Sequence, residues 1–262
     1  MKTLLSLFAF LLIWVGTASA ATIGDAVEVS IVADNGRSLP FYAVKSCHTL
    51  KKFYAEAIRG EHYRIVVRNK LDRRIGVVLA VDGRNIISGQ KSWLRNTERM
   101  YIIDPYATNE YSGWRTEQDQ VNRFYFTDVP DSYAAAFGDE SAMGVIAAAV
   151  YPEIRHYEPS VDLSFGVLGK SSQSDARDKA GASPRAESSE SAGTGYGSEE
   201  YSPSRRVCFN PENKAVESIF IKYEWRETLC RMKIINCGPT SEHSHNRLWD
   251  DDDFAPPPPR WR

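Results

Sequence analysis

The chain has few of the residues on which enzymes and metal sites are usually built. It holds 4 cysteines and 5 histidines among 262 residues. It contains no Gly-x-Ser-x-Gly elbow and no His-Glu-x-x-His helix, so it signals neither a hydrolase nucleophile nor a zinc-protease site. The cysteines do not form the two close pairs of a structural zinc site. Beyond residue 20 no apolar run reaches the roughly 18 residues that suggest a membrane span. Positive charge is not in excess either, with 32 basic against 34 acidic side chains, unlike a dedicated nucleic-acid binder. A non-enzymatic protein is expected, with no cofactor, no resident metal and no nucleic-acid partner.

The N-terminus has the three parts of an export signal. Lys2 supplies the positive end, Leu4 to Val15 form a short apolar core, and Ala18-Ser19-Ala20 is a small-residue cleavage pattern. Cleavage before Ala21 would leave 242 residues with a net charge of −3. Position 21 is not cysteine, so the lipid acceptor of a lipoprotein is missing. The protein is therefore expected to be exported, to the periplasm or beyond, without a spanning segment after cleavage. An even number of cysteines in that setting favours disulfides. Cys230 with Cys237 and Cys47 with Cys208 is one arrangement, but four cysteines allow three, and all stay open.

Charge is unevenly spread. Lys45 to Arg99 carries 13 basic and 5 acidic residues, and Met100 to Ser160 carries 3 and 10. Either a basic face attracts an anionic polymer, or the two stretches interleave in the fold and neutralise each other.

From Asp25 to Pro152 the pattern is that of strands. "VEVSIVAD" alternates and ends at Asn35-Gly36, a turn signal. "HYRIVVRN" (62–69) and "RIGVVLAV" (74–81), separated by "KLDR", read as a hairpin. Further short runs fall at 100–105, 109–114, 121–129 and 143–152. Together they predict a mainly β fold, an antiparallel β-sandwich of immunoglobulin-like general architecture over residues 21–168. One or two short helices are expected. "SYAAAF", capped by Asp131 or Ser132 and ended by Gly138, is the first. "LKKFYAEAIRG" (50–60), with Leu50, Phe53, Tyr54 and Ala57 on one face, is the second. Residues 169–204, rich in Ser, Gly, Ala and charge, read as a long disordered insertion. Strands are expected again at 205–209 and 218–225, with a weak helical pattern after them. The segment 205–237 would complete the first domain's sheet. The tail, 238–262, is acidic and then proline-rich, and Pro256 to Pro259 favour a polyproline helix.

As a set, "VVLAVDGRNIISG" (77–89), "GWR" (113–115), "RFYFTDVPDSYAAAFGD" (123–139), "GVIAAAVYPE" (144–153), "GTGYG" (193–197) and "KYEWRETLCRMKII" (222–235) resemble a group of exported proteobacterial proteins without an assigned activity. The resemblance implies an extracytoplasmic β-rich protein of a Gram-negative bacterium. It brings no catalytic or binding residue with it.

Several residues are candidates for contact with a ligand. Asp82-Gly83 is a good turn on local grounds, yet Asp82, Arg84 and Asn85 could instead form a polar rim. Trp93, Tyr106, Tyr111 and Trp114 could stack on sugar rings or anchor a protein if exposed. Trp114-Arg115 combines a flat apolar face with a charged fork. In the tail, Trp249, Phe254 and Trp261 flank the acidic run and the prolines and are the natural docking residues. "GTGYG" has no lysine and no helix after it, so a phosphate loop is disfavoured. His243, His245 and Asp250 to Asp253 carry ligand chemistry without fixed geometry. Cys47 and His48 are adjacent, which on a strand points them apart. The leading expectation is a binding or assembly module of the cell envelope, its partner another envelope protein. Glycan or anionic-polymer binding is the alternative, and a hydrolase of unfamiliar site comes third.

Overall fold

Among the described residues, fourteen strands and one short α-helix build the fold. In chain order they are β1 (Val27–Ala33), β2 (Phe41–Ala43), β3 (Leu50–Ala57), β4 (His62–Asn69), β5 (Ile75–Val81), β6 (Arg84–Asn85) and β7 (Tyr101–Ile103). They continue with β8 (Thr108–Tyr111), β9 (Gly113–Arg115), β10 (Gln120–Asp128), β11 (Val145–Pro152), β12 (Ala192–Thr194), β13 (Glu199–Tyr201) and β14 (Glu217–Trp225). The helix α1 (Arg226–Arg231) follows directly. The computed structural model describes residues 22–44, 49–155 and 191–237. Residues 1–21, where an export signal is expected, Cys47, His48, residues 169–190 of the serine-rich stretch and the tail from 238 onward lie outside the described residues.

The strands form two sheets. One runs β1-β4-β10-β12, with β8 beside β4 and both β9 and β13 beside β10. The other runs β2-β3-β14-β11-β5-β6, with β7 beside β5. A single apolar core lies between them. Val29, Ile31, Ile65, Phe124 and Phe126 come from the first sheet, and Val77, Leu79, Ile146, Ile219 and Ile221 from the second. Each such side chain contributes roughly 1.5–3 kcal/mol by leaving water. This is a mainly β sandwich. One strand pair departs from antiparallel order, because β14 runs parallel to β3, Ser218 facing Leu50 and Trp225 facing Ala57.

Four local expectations are corrected. Residues 50–57 form a strand and not a helix. Their alternate residues Ala55 and Ala57 are buried, and a partner 168 positions later in register, Ser218 for Leu50, supplies the backbone bonds that a local reading cannot see. Second, β4 and β5 do not pair as a hairpin; they belong to different sheets. The buried Asn69 turns the chain across, its Nδ2 donating to Arg73 O at 2.7 Å and to Asp104 O at 3.0 Å, while its Oδ1 accepts the Leu71 N–H at 2.9 Å. Third, "SYAAAF" gives a 3-10 turn, Ala135–Phe137, instead of an α-helix, with another such turn, Val129–Asp131, just before it. Gly138 does take the left-handed conformation at the end, at φ 65°. Fourth, residues 205–209 are not a strand. They form an irregular strap between Pro203 and Pro211, held where Arg74 Nη2 donates to Cys208 O at 2.8 Å.

The end of the serine-rich stretch is also ordered, since β12 and β13 both fall within it. "GTGYG" lies along β10, where the Gly195 and Gly197 N–H groups donate to Tyr125 O and Arg123 O, both at 2.9 Å. Those amides are used up in pairing, so they do not converge on an anion. The glycines are there for clearance. A Cβ at Gly195 would stand 2.2 Å from the Tyr125 ring, and one at Gly193 would stand 2.8 Å from the Ser132 Cβ.

The approach to β1 is tied down by Glu217. Its carboxylate accepts the N–H groups of Asp25 at 2.9 Å and Ala26 at 2.8 Å, and pairs with Lys51 Nζ at 3.0 Å. Behind β14, α1 is closed by a disulfide between Cys230 and Cys237, with Cα atoms 5.6 Å apart. Cys208 is exposed and has no bonded partner among the described residues. No helix among them is long and apolar enough to cross a membrane.

Because Gly195 is excluded from carrying a side chain by contact alone, Gly195→Ala should destabilise the protein by ~2 kcal/mol or more through overpacking. Urea denaturation measures this, and an unchanged midpoint would refute the close-approach account.

Candidate functional site

The Asp82-Gly83 pair forms a two-residue turn with both φ values positive, 49° and 77°. That is the geometry whose twist suits a tight hairpin, and here it joins β5 to β6. It also turns the Asp82 side chain inward, where it is 1% exposed. Oδ1 accepts the Gly144 N–H at 2.9 Å and the Tyr223 hydroxyl at 2.5 Å, and Oδ2 accepts the Thr194 N–H at 2.7 Å. The Thr194 hydroxyl then links Tyr223 and Tyr63, at 2.7 and 2.8 Å. Burial pushes the Asp82 carboxyl up to about 6, against the pull of the Tyr223 hydroxyl and the backbone amides of Thr194, Gly144 and Val145. Burial likewise raises both tyrosines well above their usual range. With its oxygens occupied by protein donors, this carboxylate is a fastening between sheets and not a base presented to substrate.

Close to it lies an aromatic cleft of about 570 Å³. Its parts come from separate stretches of the chain. Trp114 on β9 is buried and donates its indole N–H to Gly195 O at 3.1 Å. Tyr133 stands between the two 3-10 turns, its N–H bonded to Thr194 O at 2.9 Å. Ser132 steadies those turns, donating its hydroxyl to Val129 O at 2.7 Å and accepting the Ala135 N–H at 3.2 Å. Phe137 ends the second turn, and Tyr196 comes from "GTGYG". The rings form a continuous set, with Tyr133 4.3 Å from Trp114, 5.0 Å from Phe137 and 5.4 Å from Tyr196, centroid to centroid. Trp114 and Tyr133 make the floor. Phe137 and Tyr196 are 57% and 45% exposed. Ser88, Thr116, Asp131 and Arg115 add polar groups to the lining.

The other residues singled out from the sequence fall as follows. Arg84 is buried; its Nη1 donates to Gly89 O at 2.7 Å and its guanidinium lies 4.1 Å from the Phe137 ring centre. Asn85 holds the loop that follows, donating to Arg99 O at 2.8 Å and accepting the Ile87 N–H at 2.9 Å. Arg115 bonds the Tyr101 hydroxyl and Ser202 O, both at 2.8 Å, and so anchors the segment returning after β13. Tyr111 is buried, stacked on Tyr101 at 4.2 Å. Trp93 and Tyr106 are exposed, and neither lines the aromatic cleft. Trp249, Phe254, Trp261, His243, His245, Cys47 and His48 lie outside the described residues. Among the described residues no group of three or more His, Cys, Asp or Glu could hold a metal ion. Tyr133, Phe137 and Tyr196 were missing from the sequence candidates, because one segment reads as a plain alanine-rich helix and the other as linker.

The basic and acidic stretches do interleave. Arg59 pairs with Asp128, Arg64 with Glu110, Arg74 with Glu153, and Lys91 with Asp139, at 3.2, 2.8, 3.3 and 3.3 Å. A second, larger groove of about 1160 Å³ runs beside β7, β8 and the 202–211 strap. It mixes Arg99, Arg205 and Arg206 with Glu98, Glu110 and Glu117, and so offers no field of one sign.

Comparison with protein-family models, curated proteins and solved structures finds no match.

Asp82 binds its proton more tightly folded than unfolded, about 6 against 3.8. It therefore contributes stability that is complete below about pH 3.8 and is lost as the pH rises through about 6. The melting temperature should climb as the pH is lowered from 7 to 5. Asp82→Asn should abolish that climb and, by turning an amide N–H on the Thr194 N–H, cost ~1–3 kcal/mol. A wild-type melting temperature that is flat or falls on acidification would contradict this.

Proposed function

We propose that the protein is an exported, non-enzymatic binding module of the cell envelope, and that the aromatic cleft is its contact surface. The observation that carries the reading is the cleft itself. Two large rings, Phe137 and Tyr196, stand in solvent over a floor of buried Trp114 and half-buried Tyr133. Exposed aromatics set against a fixed floor are where binding energy concentrates, because rigid rings lose little entropy on contact. The internal disulfide Cys230–Cys237 is compatible with an oxidising compartment, which supports export. The best-buried carboxylate, Asp82, is engaged by protein donors, which weighs against the hydrolase reading. Polymer binding driven by charge loses ground to the ion pairs between the basic and acidic stretches.

A neutral envelope glycan is the second reading. Sugar rings present flat C–H faces to aromatics, and Ser88, Thr116 and Asp131 supply hydroxyl and carboxylate groups at the same cleft. The two ligands separate by experiment. In vivo crosslinking from intact cells should capture a protein partner with the wild-type chain. The double variant Phe137→Ala, Tyr196→Ala should lose that capture by about tenfold or more, while Trp93→Ala, outside the cleft, leaves it unchanged. Retention on purified envelope polysaccharide with no protein capture would move the assignment to glycan. Capture unaffected by the double variant would remove the cleft from the function.

A further inference from the structure

We infer that the aromatic cleft takes the protein's own proline tail, with Pro256 to Pro259 laid across Phe137 and Tyr196 of the same chain. This rests on the cleft being the contact surface proposed above and names its first occupant. Grooves lined with aromatic side chains recognise polyproline segments, because such a segment is already extended and loses little freedom on docking. The chain holds one run of four prolines. The cleft has the matching features. Tyr133 meets Phe137 edge to face at 5.0 Å and stacks on Tyr196 at 5.4 Å, so the exposed rings form one continuous apolar surface for successive prolines. Its lining carries both signs of charge, Arg115 and Asp131. The tail does likewise, with Asp250 to Asp253 before the prolines and Arg260 and Arg262 after them.

Reach is no obstacle. The residues between Cys237 and Pro256 span up to about 60 Å when extended. A folded body of roughly 180 residues has a radius of gyration of about 16 Å. A tethered ligand at such range is present at an effective concentration near millimolar, so even weak intrinsic affinity keeps it docked.

The test uses the full mature chain. In one variant Pro256 to Pro259 are all replaced by Ala, which frees the cleft. A synthetic peptide of residues 249–262 is titrated into the wild type and into this variant, followed by the NMR signals of the Phe137 and Tyr196 rings. The peptide should bind the variant, shift both rings, and bind the wild type at least about tenfold more weakly because the site is filled in cis. Adding Phe137→Ala and Tyr196→Ala to the variant should abolish binding. Failure to bind, or binding indifferent to the two ring substitutions, overturns the inference. Equal affinity for wild type and variant, together with a concentration-dependent dimer lost in the variant, overturns docking in cis and gives the tail to a second copy. If the peptide does not bind while envelope capture still depends on Phe137 and Tyr196, this inference falls and the proposed function stands. If the peptide binds while capture ignores the rings, the reverse holds.

Discussion

The Asp82 carboxylate is the constraint around which the rest is arranged. A buried carboxylate is tolerated only when donors meet it, since an unmet one costs several kcal/mol. Here the donors come from Gly144, Thr194 and Tyr223, so the group draws together the start of β11, the strand β12 and the middle of β14. The β5–β6 turn would otherwise be a surface corner; with Asp82 in place it becomes a clamp across both sheets. The clamp also governs the aromatic cleft. Thr194 O receives the Tyr133 N–H, so the central ring of the cleft hangs from a residue that Asp82 holds.

Much of this architecture is legible in the sequence, and the exceptions share a cause. The alternating run gives β1, short β-rich or wholly apolar runs give β10, β11 and β14, and Asp-Gly gives its turn, because residue type, alternation and turn chemistry are local. What is not local is misread. The apolar spacing of residues 50–57 satisfies a helix and a strand equally, and only the distant β14 decides between them. "KLDR" resembles a hairpin loop because its neighbours are β-rich, but one side-chain amide, Asn69, carries the chain to the other sheet. "GTGYG" looks like flexible linker by composition, whereas its glycines are small so that Tyr125 and Ser132 can approach.

The candidate site was half visible. Trp114 and Arg115 stand out as a pair, and both do line the cleft, one as buried floor and the other as an anchor for the segment after β13. The rings that reach solvent, Phe137 and Tyr196, carry no signal of their own. Each sits beside glycine in a stretch of small residues, and their adjacency arises only when β12 packs on β10. Arg84, which reads as a ligand contact, instead backs Phe137 from behind and sets the plane that this ring presents.

The position of β14 imposes an order on how the molecule comes into being. It is the last strand among the described residues, yet it lies inside its sheet, between β3 and β11. A chain emerging N-terminus first exposes two open strand edges facing an empty lane until residue 225 is free. Unpaired edges of that kind recruit other chains. The native pairing of β3 with β14 also closes a loop of more than 150 residues, which makes the final step slow compared with local hairpins. During that interval the half-built sheet is the form of this protein most in need of protection, and a chaperone that covers β3 and β11 would shield the lane that β14 later fills.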